Sequence, residues 1–171
     1  MVKIFIQGIK DGLYEIDQHV PVEEVKDIYP EFFGEIHLTG KLRKFGNRYT
    51  FTGAAECSAK LVCDVSVTEY EERIAADINV AFLADSKQKS LRYTVQNEEE
   101  LGARLIGEDD KFIDISEDVR EELAVNIPLK KVAPRFRDKS FEELHPEFSP
   151  GKEESKHIDE RWSVLNKLKI N

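Results

Sequence analysis

Apolar residues recur at every second position along most of the first 95 residues, the spacing of strands with one buried face. Val2, Ile4 and Ile6 alternate with Lys3 and Phe5, which predicts a first strand. Asp11-Gly12 signals a turn, and Tyr14 with Ile16 begins a short extended piece. Residues 22–29 are expected to form one or two helical turns before Pro30. The clearest hairpin follows: Ile36, Leu38 and Leu42 alternate with polar residues, Gly46-Asn47 turns the chain, and Tyr49, Phe51 and Ala55 alternate on the return. Thr50 and Thr52 then face the other way.

Beyond the hairpin, Cys57, Leu61, Cys63, Val65 and Val67 share one parity. A short turn near Lys60 is expected to set Cys57 opposite Cys63 on neighbouring strands. Ile78, Val80 and Phe82 predict a further strand, and Leu91, Tyr93 and Val95 another. Residues 112–116 read as a short strand entering a helix, with Ser116 as its cap and Glu117 and Asp118 suited to its positive end. Val119, Leu123 and Ile127 recur at helical spacing until Pro128 stops the run. Residues 128–158 read as a long, partly flexible loop region with Pro134, Pro146 and Pro150, apart from one turn at 141–144. A last helix is expected over 159–169, capped by Asp159, with Trp162, Leu165 and Leu168 along one side.

This pattern predicts a single α+β domain over residues 1–171: a mostly antiparallel, hairpin-rich sheet with a few short helices, one after residue 116 and one at the C-terminus. The chain's 171 residues suffice for a core without disulfides or metals. No apolar run approaches the roughly 20 residues that cross a bilayer, and the N-terminal apolar stretch is too short for a signal peptide. With two cysteines there is no disulfide framework of the secreted kind, so the cytoplasm is the expected compartment.

Charge sharpens the picture. The net charge is -9, and residues 61–127 hold 17 Asp/Glu against 7 Lys/Arg, whereas the flanking regions are near balance. Phosphate backbones are held mainly by Lys and Arg, so any nucleic-acid contact here must come from local basic patches. Two such patches exist. Lys41, Arg43, Lys44 and Arg48 cluster at the hairpin tip with Phe45 and Tyr49 among them, and no acid occurs between Ile36 and Ala55. Lys130, Lys131, Arg135, Arg137 and Lys139 form the second, with Phe136 and a single acid, Asp138. Basic side chains interleaved with aromatics can grip phosphates and stack on unpaired bases. Charged tips also serve solubility and edge protection, so the composition alone leaves both readings open.

Catalytic constellations are thin. The chain has no Gly-x-Ser-x-Gly, no phosphate-cradling glycine loop and no His-Glu-x-x-His. Acidic runs such as Glu98-Glu99-Glu100 and Asp109-Asp110 are sequential and do not converge on a point. Cys57 and Cys63 could hold half of a zinc site with His145 or His157, but the five intervening residues exceed zinc-knuckle spacing, and two small buried apolar residues explain them more simply. No catalytic residue, metal or cofactor is expected. Trp162 either anchors a partner or docks the terminal helix.

Three segments resemble the YceD-like family, the large ribosomal RNA subunit accumulation proteins. They are Cys57-Ser58-Ala59-Lys60-Leu61-Val62-Cys63; Ile113-Asp114-Ile115-Ser116 followed by Val119, Glu122, Leu123 and Ile127-Pro128-Leu129; and Asp159-Glu160-Arg161-Trp162 with Leu165 and Leu168. Their order and spacing are similar to the family's over residues 35–171. The chain departs from it in lacking a Cys-x-x-Cys pair and any cysteine after Pro128, and in carrying Glu160 where the family prefers proline. The resemblance implies a cytoplasmic bacterial factor in large-subunit ribosomal RNA accumulation or processing, without catalytic residues. Its expected partners are ribosomal RNA or a large-subunit ribosomal or assembly protein, not a membrane or a small-molecule substrate. On that reading RNA is met through Lys41, Arg43, Lys44, Phe45, Arg48, Tyr49, Lys130, Lys131, Arg135 and Arg137, and a partner through Arg161 and Trp162. The alternative is an acidic adaptor or chaperone whose residues 61–127 shield a basic protein without touching RNA.

Overall fold

The computed structural model describes residues 1–84, 102–139 and 143. The strand expected around Leu91, Tyr93 and Val95, the helix expected over 159–169 and the candidates Arg161 and Trp162 lie outside the described residues, as does most of the 128–158 stretch. The chain divides into two compact units, Met1–Val132 and Ala133–Asn171.

The first unit is α+β and mostly antiparallel. Four long strands follow one another as a meander: β2 (Gly12–Pro21), β3 (Phe32–Phe45), β4 (Arg48–Val62) and β5 (Glu69–Ala84). A short strand, β6 (Arg104–Ile106), completes the five-stranded sheet by pairing parallel to β5. A separate two-stranded ribbon joins β1 (Lys3–Phe5) to β7 (Phe112–Asp114), and β7 leads into the helix α1 (Ser116–Val125).

Period-two alternation places the core. Ile36, Leu38, Leu42, Phe51, Ala55, Cys57, Ala59, Leu61, Ile74, Ile78 and Phe82 are buried on one face of the large sheet. The same apolar cluster takes in Val2, Ile4 and Ile6 around β1, Ile113 and Ile115 around β7, and Val119 and Leu123 of α1. The ribbon and helix thus cover one face of the large sheet, and among the described residues the other face is open to solvent. Arg104 fastens the parallel edge: its guanidinium lies 4.7 Å from the Phe82 ring centroid and 2.5 Å from an Asp118 carboxylate oxygen on α1.

The Gly46-Asn47 hairpin is as expected. Phe45 and Arg48 are direct partners, and Gly46 takes the first turn position at φ 59, where a side chain would be strained. Midway along the hairpin, Gly40 and Gly53 are Cα partners, and the Phe51 ring folds over both.

One helical turn forms within residues 22–29, the 3-10 turn Val22–Glu24, and two other expectations are corrected. There is no turn near Lys60: Ala59 is buried, Lys60 exposed and Leu61 buried, so the alternation of β4 runs straight through. Cys57 therefore partners Ile74 of β5, and Cys63 lies beyond the end of the same strand. Ser116 is the first helical residue, with Ile115 at the cap position. Its hydroxyl is committed elsewhere, accepting from the Val2 amide at 2.7 Å and donating to Asp114 at 2.6 Å. That bond ties the N-terminus to the start of α1.

Candidate nucleic-acid interface

The register of β3 and β4 sorts the hairpin candidates onto two faces. Lys41 opposes Thr52, Arg43 opposes Thr50 and Phe45 opposes Arg48, so Lys41, Arg43, Phe45 and Arg48 share the solvent face. All four are exposed, and Phe45 retains 74% of its surface. Leu13, 60% exposed and directly across from Arg43 on β2, extends this face. Neither Lys41 nor Arg43 has an ion-pair partner among the described residues, although Glu15 of β2 lies across the ladder from Lys41. Arg48 makes one long bond, 3.4 Å, to the Gly102 carbonyl. The arrangement offers three cations and an exposed ring at the end of a rigid sheet.

Lys44 and Tyr49 have the opposite parity. Tyr49 is buried, so its ring is closed to a stacked base. Lys44 donates from Nζ to the Ile9 carbonyl at 2.8 Å and sits 5.6 Å from the Tyr49 ring centroid. These two residues secure the loop before β2 beneath the hairpin.

The second basic cluster is placed differently. The Lys131 amide donates to the Asp64 carboxylate and the Asp64 amide to the Lys131 carbonyl, both at 2.7 Å. Asp64 follows the end of β4, whereas the hairpin turn precedes its start. At about 3.3 Å per residue the two ends are some 45 Å apart. Lys130 and Lys131 therefore do not join the hairpin cluster. In the second unit, Pro134–Phe136 is a 3-10 turn in which Arg135 and Lys139 lie over the Phe136 ring, at 4.6 and 5.7 Å from its centroid, and Arg137 is exposed.

Along the solvent face the charge changes sign. The turn end carries Lys41, Arg43 and Arg48; Glu56 lies midway, opposite His37, and the far end carries Glu35, Glu69 and Glu71, diluted by Lys60 and Arg73. Arg73 pairs with Glu56 at 3.3 Å. Between these ends, on β2 and β3, His19 and His37 stack with Asp17 alongside.

Cys57 has a raised pKa. Burial removes its thiol from water and pushes it up, against a smaller lowering effect of hydrogen bonding with the backbone of Phe33 and Ser58. A protonated, core-facing thiol is neither a ready metal ligand nor a nucleophile.

A protein-family model described as "Large ribosomal RNA subunit accumulation protein YceD" matches residues 51–169, more than half of the chain. The chain belongs to the YceD family. No curated protein and no solved structure matches it. The YceD match begins within β4 and runs through β5, β6, β7 and α1. It includes Lys130, Lys131, Arg135 and Arg137, whereas Lys41 through Tyr49 precede it. The family is described by ribosomal RNA accumulation, not by an enzymatic activity. No helix among the described residues is long and apolar enough to cross a membrane.

Two features of this face escaped the sequence reading. The first is the loss of Lys44 and Tyr49 to the opposite side, although parity alone foretells it: they stand two residues from Leu42 and Phe51 respectively. The second is the histidine pair, which needs the β2–β3 register.

Proposed function

We propose that this YceD-family protein supports large-subunit ribosomal RNA accumulation in the cytoplasm as a non-catalytic factor that grips single-stranded RNA through the turn end of its β3–β4 hairpin. The observation that carries this reading is the shared solvent face of Lys41, Arg43, Phe45 and Arg48. Three cations there can follow a phosphate chain while the Phe45 ring receives an unpaired base. A compact, preordered sheet holds them in register, so little ordering entropy opposes binding. Lys130 and Lys131, and in the second unit Arg135 and Arg137, add further RNA contacts, and Arg161 with Trp162 contacts an assembly partner.

A second reading draws on the far end of the same face, where Glu35, Glu69 and Glu71 gather beyond Glu56. That end suits a basic ribosomal protein, and the chain would then act as an acidic adaptor.

The deciding experiment measures binding of the purified protein to unstructured RNA across salt, with K41E/R43E/R48E beside the wild type. The three hairpin phosphate contacts contribute about −2 to the slope of log affinity against log salt. The charge reversal should remove that contribution and weaken binding at least a hundredfold. Unchanged affinity in that variant would overturn the hairpin as the RNA contact. Capture of a basic ribosomal protein that persists in K41E/R43E/R48E would favour the adaptor.

A further inference from the structure

Midway along the solvent face, β2 and β3 bring two histidines and two carboxylates together. His19 and His37 are direct cross-strand partners, and their rings stack with centroids 4.3 Å apart and planes 5° from parallel. Asp17 stands two residues before His19 on the same face, with Oδ1 2.8 Å from His37 Nε2. One ligand atom from each of Asp17, His19 and His37 lies within 4.8 Å of the others. Glu35 Oε2 is 3.5 Å from His19 Nδ1. A β-bulge in β3 falls between Phe33 and His37, with Gly34 at φ 79, so the ladder is bent just before the second histidine.

From this geometry we infer a divalent transition-metal site on the sheet face, with His19, His37 and Asp17 as ligands and Glu35 supporting His19. Tetrahedral zinc holds nitrogen and oxygen ligands at about 2.0–2.2 Å, which sets them roughly 3.3 Å from one another. Asp17 Oδ1 and His37 Nε2, at 2.8 Å, are already that close, and the stacked rings must turn about their side-chain bonds for both imidazole nitrogens to face one ion. Two imidazoles with one carboxylate select zinc-like ions over magnesium or calcium, which prefer all-oxygen shells. Glu35 Oε2, 3.5 Å from His19 Nδ1, stands where a carboxylate commonly supports a metal-bound histidine. Asp17 and His19 are exposed and His37 half-buried, so an ion enters from solvent and keeps at least one position for water or an outside donor. The site stands apart from Cys57 and Cys63, which the sequence alone had offered as half of a zinc site, and it does not depend on the RNA reading.

The test is a titration of the full-length protein with zinc chloride against a chromophoric zinc chelator, with stoichiometry and affinity read together. The expected result is one zinc ion per chain, with affinity reduced at least tenfold in H19N/H37N and in D17N. E35Q should weaken binding by about tenfold, the lower end for a supporting carboxylate. C57S/C63S and H145N/H157N should bind as the wild type does. Circular dichroism establishes that each variant is folded, which these surface positions favour. No binding by the wild type, undiminished binding by H19N/H37N, or loss of binding in the cysteine or His145/His157 variants would each overturn the site.

Discussion

Gly40 and Gly53 face each other across β3 and β4 so closely that a Cβ built on Gly53 would lie 2.1 Å from the Thr39 carbonyl oxygen and 2.7 Å from the Gly40 Cα. The Phe51 ring occupies the space that two side chains would have taken, and Phe51 is fully buried. Glycine in a strand usually weakens it. Here the absent side chains let the tip of an aromatic ring lie against the ladder.

G53A should therefore destabilise the protein by about 3 kcal/mol, since backbone on the neighbouring strand must move to admit the methyl group. Urea denaturation measures this directly. G40A should cost a similar amount, and the double variant should cost less than the sum because both open the same contact.

The two faces of the hairpin tip predict opposite behaviours for neighbouring lysines and arginines. R43E should reduce RNA affinity at least tenfold with stability changed by less than about 0.5 kcal/mol, as for an exposed residue without partners. K44A should leave RNA affinity near the wild-type value. It should lower stability by about 1 kcal/mol through loss of the bond to the Ile9 carbonyl. Thermal denaturation and RNA titration of the two variants separate these effects.

Val67, in the turn between β4 and β5, has φ 55 and is 80% exposed. A β-branched residue in the left-handed region is strained by about 1–2 kcal/mol, and no burial offsets it. V67G should raise the stability to urea by about 1 kcal/mol.

Cys57 predicts a dependence on alkaline pH. Its folded pKa is raised from 9.0 by burial, so the unfolded chain loses this proton first as pH rises. Its contribution to stability is fully present below pH 9.0 and is lost progressively from there up through the folded value. Stability of the wild type should fall more steeply than that of C57A above pH 9.0, with parallel curves below it. Alkylation of the folded protein at neutral pH should leave Cys57 unmodified.

Much of this architecture was readable from alternation. The β3–β4 hairpin, the strand through Ile78 and Phe82, and the strand-to-helix step at 112–116 needed only period two, a Gly-Asn turn and a helical repeat. Lys60 misled because a polar residue among Ser58 and Ala59 resembles a turn, yet it occupies a solvent-facing position of an unbroken strand. Ser116 misled because local chemistry favours a cap, while a residue 114 positions away claims its hydroxyl. The pairing of β1 with β7 and the parallel placement of β6 likewise depend on contacts between distant segments. At the candidate interface, the basic composition was plain. The division between faces followed from parity, and the histidine cluster emerged only once β2 was laid against β3.

The meander has a consequence for the order in which the molecule assembles. Strands β2 to β5 each pair with the next in sequence, so this part of the sheet can zip up through successive short loops. The β1–β7 ribbon cannot: Ile4 meets Ile113, and the intervening chain must be in place before that loop closes. During synthesis, Val2, Ile4 and Ile6 would therefore wait uncovered until β7 and α1 emerge. Misfolding should concentrate in chains truncated before residue 112, and the N-terminal strand is the natural target for a chaperone on the growing chain.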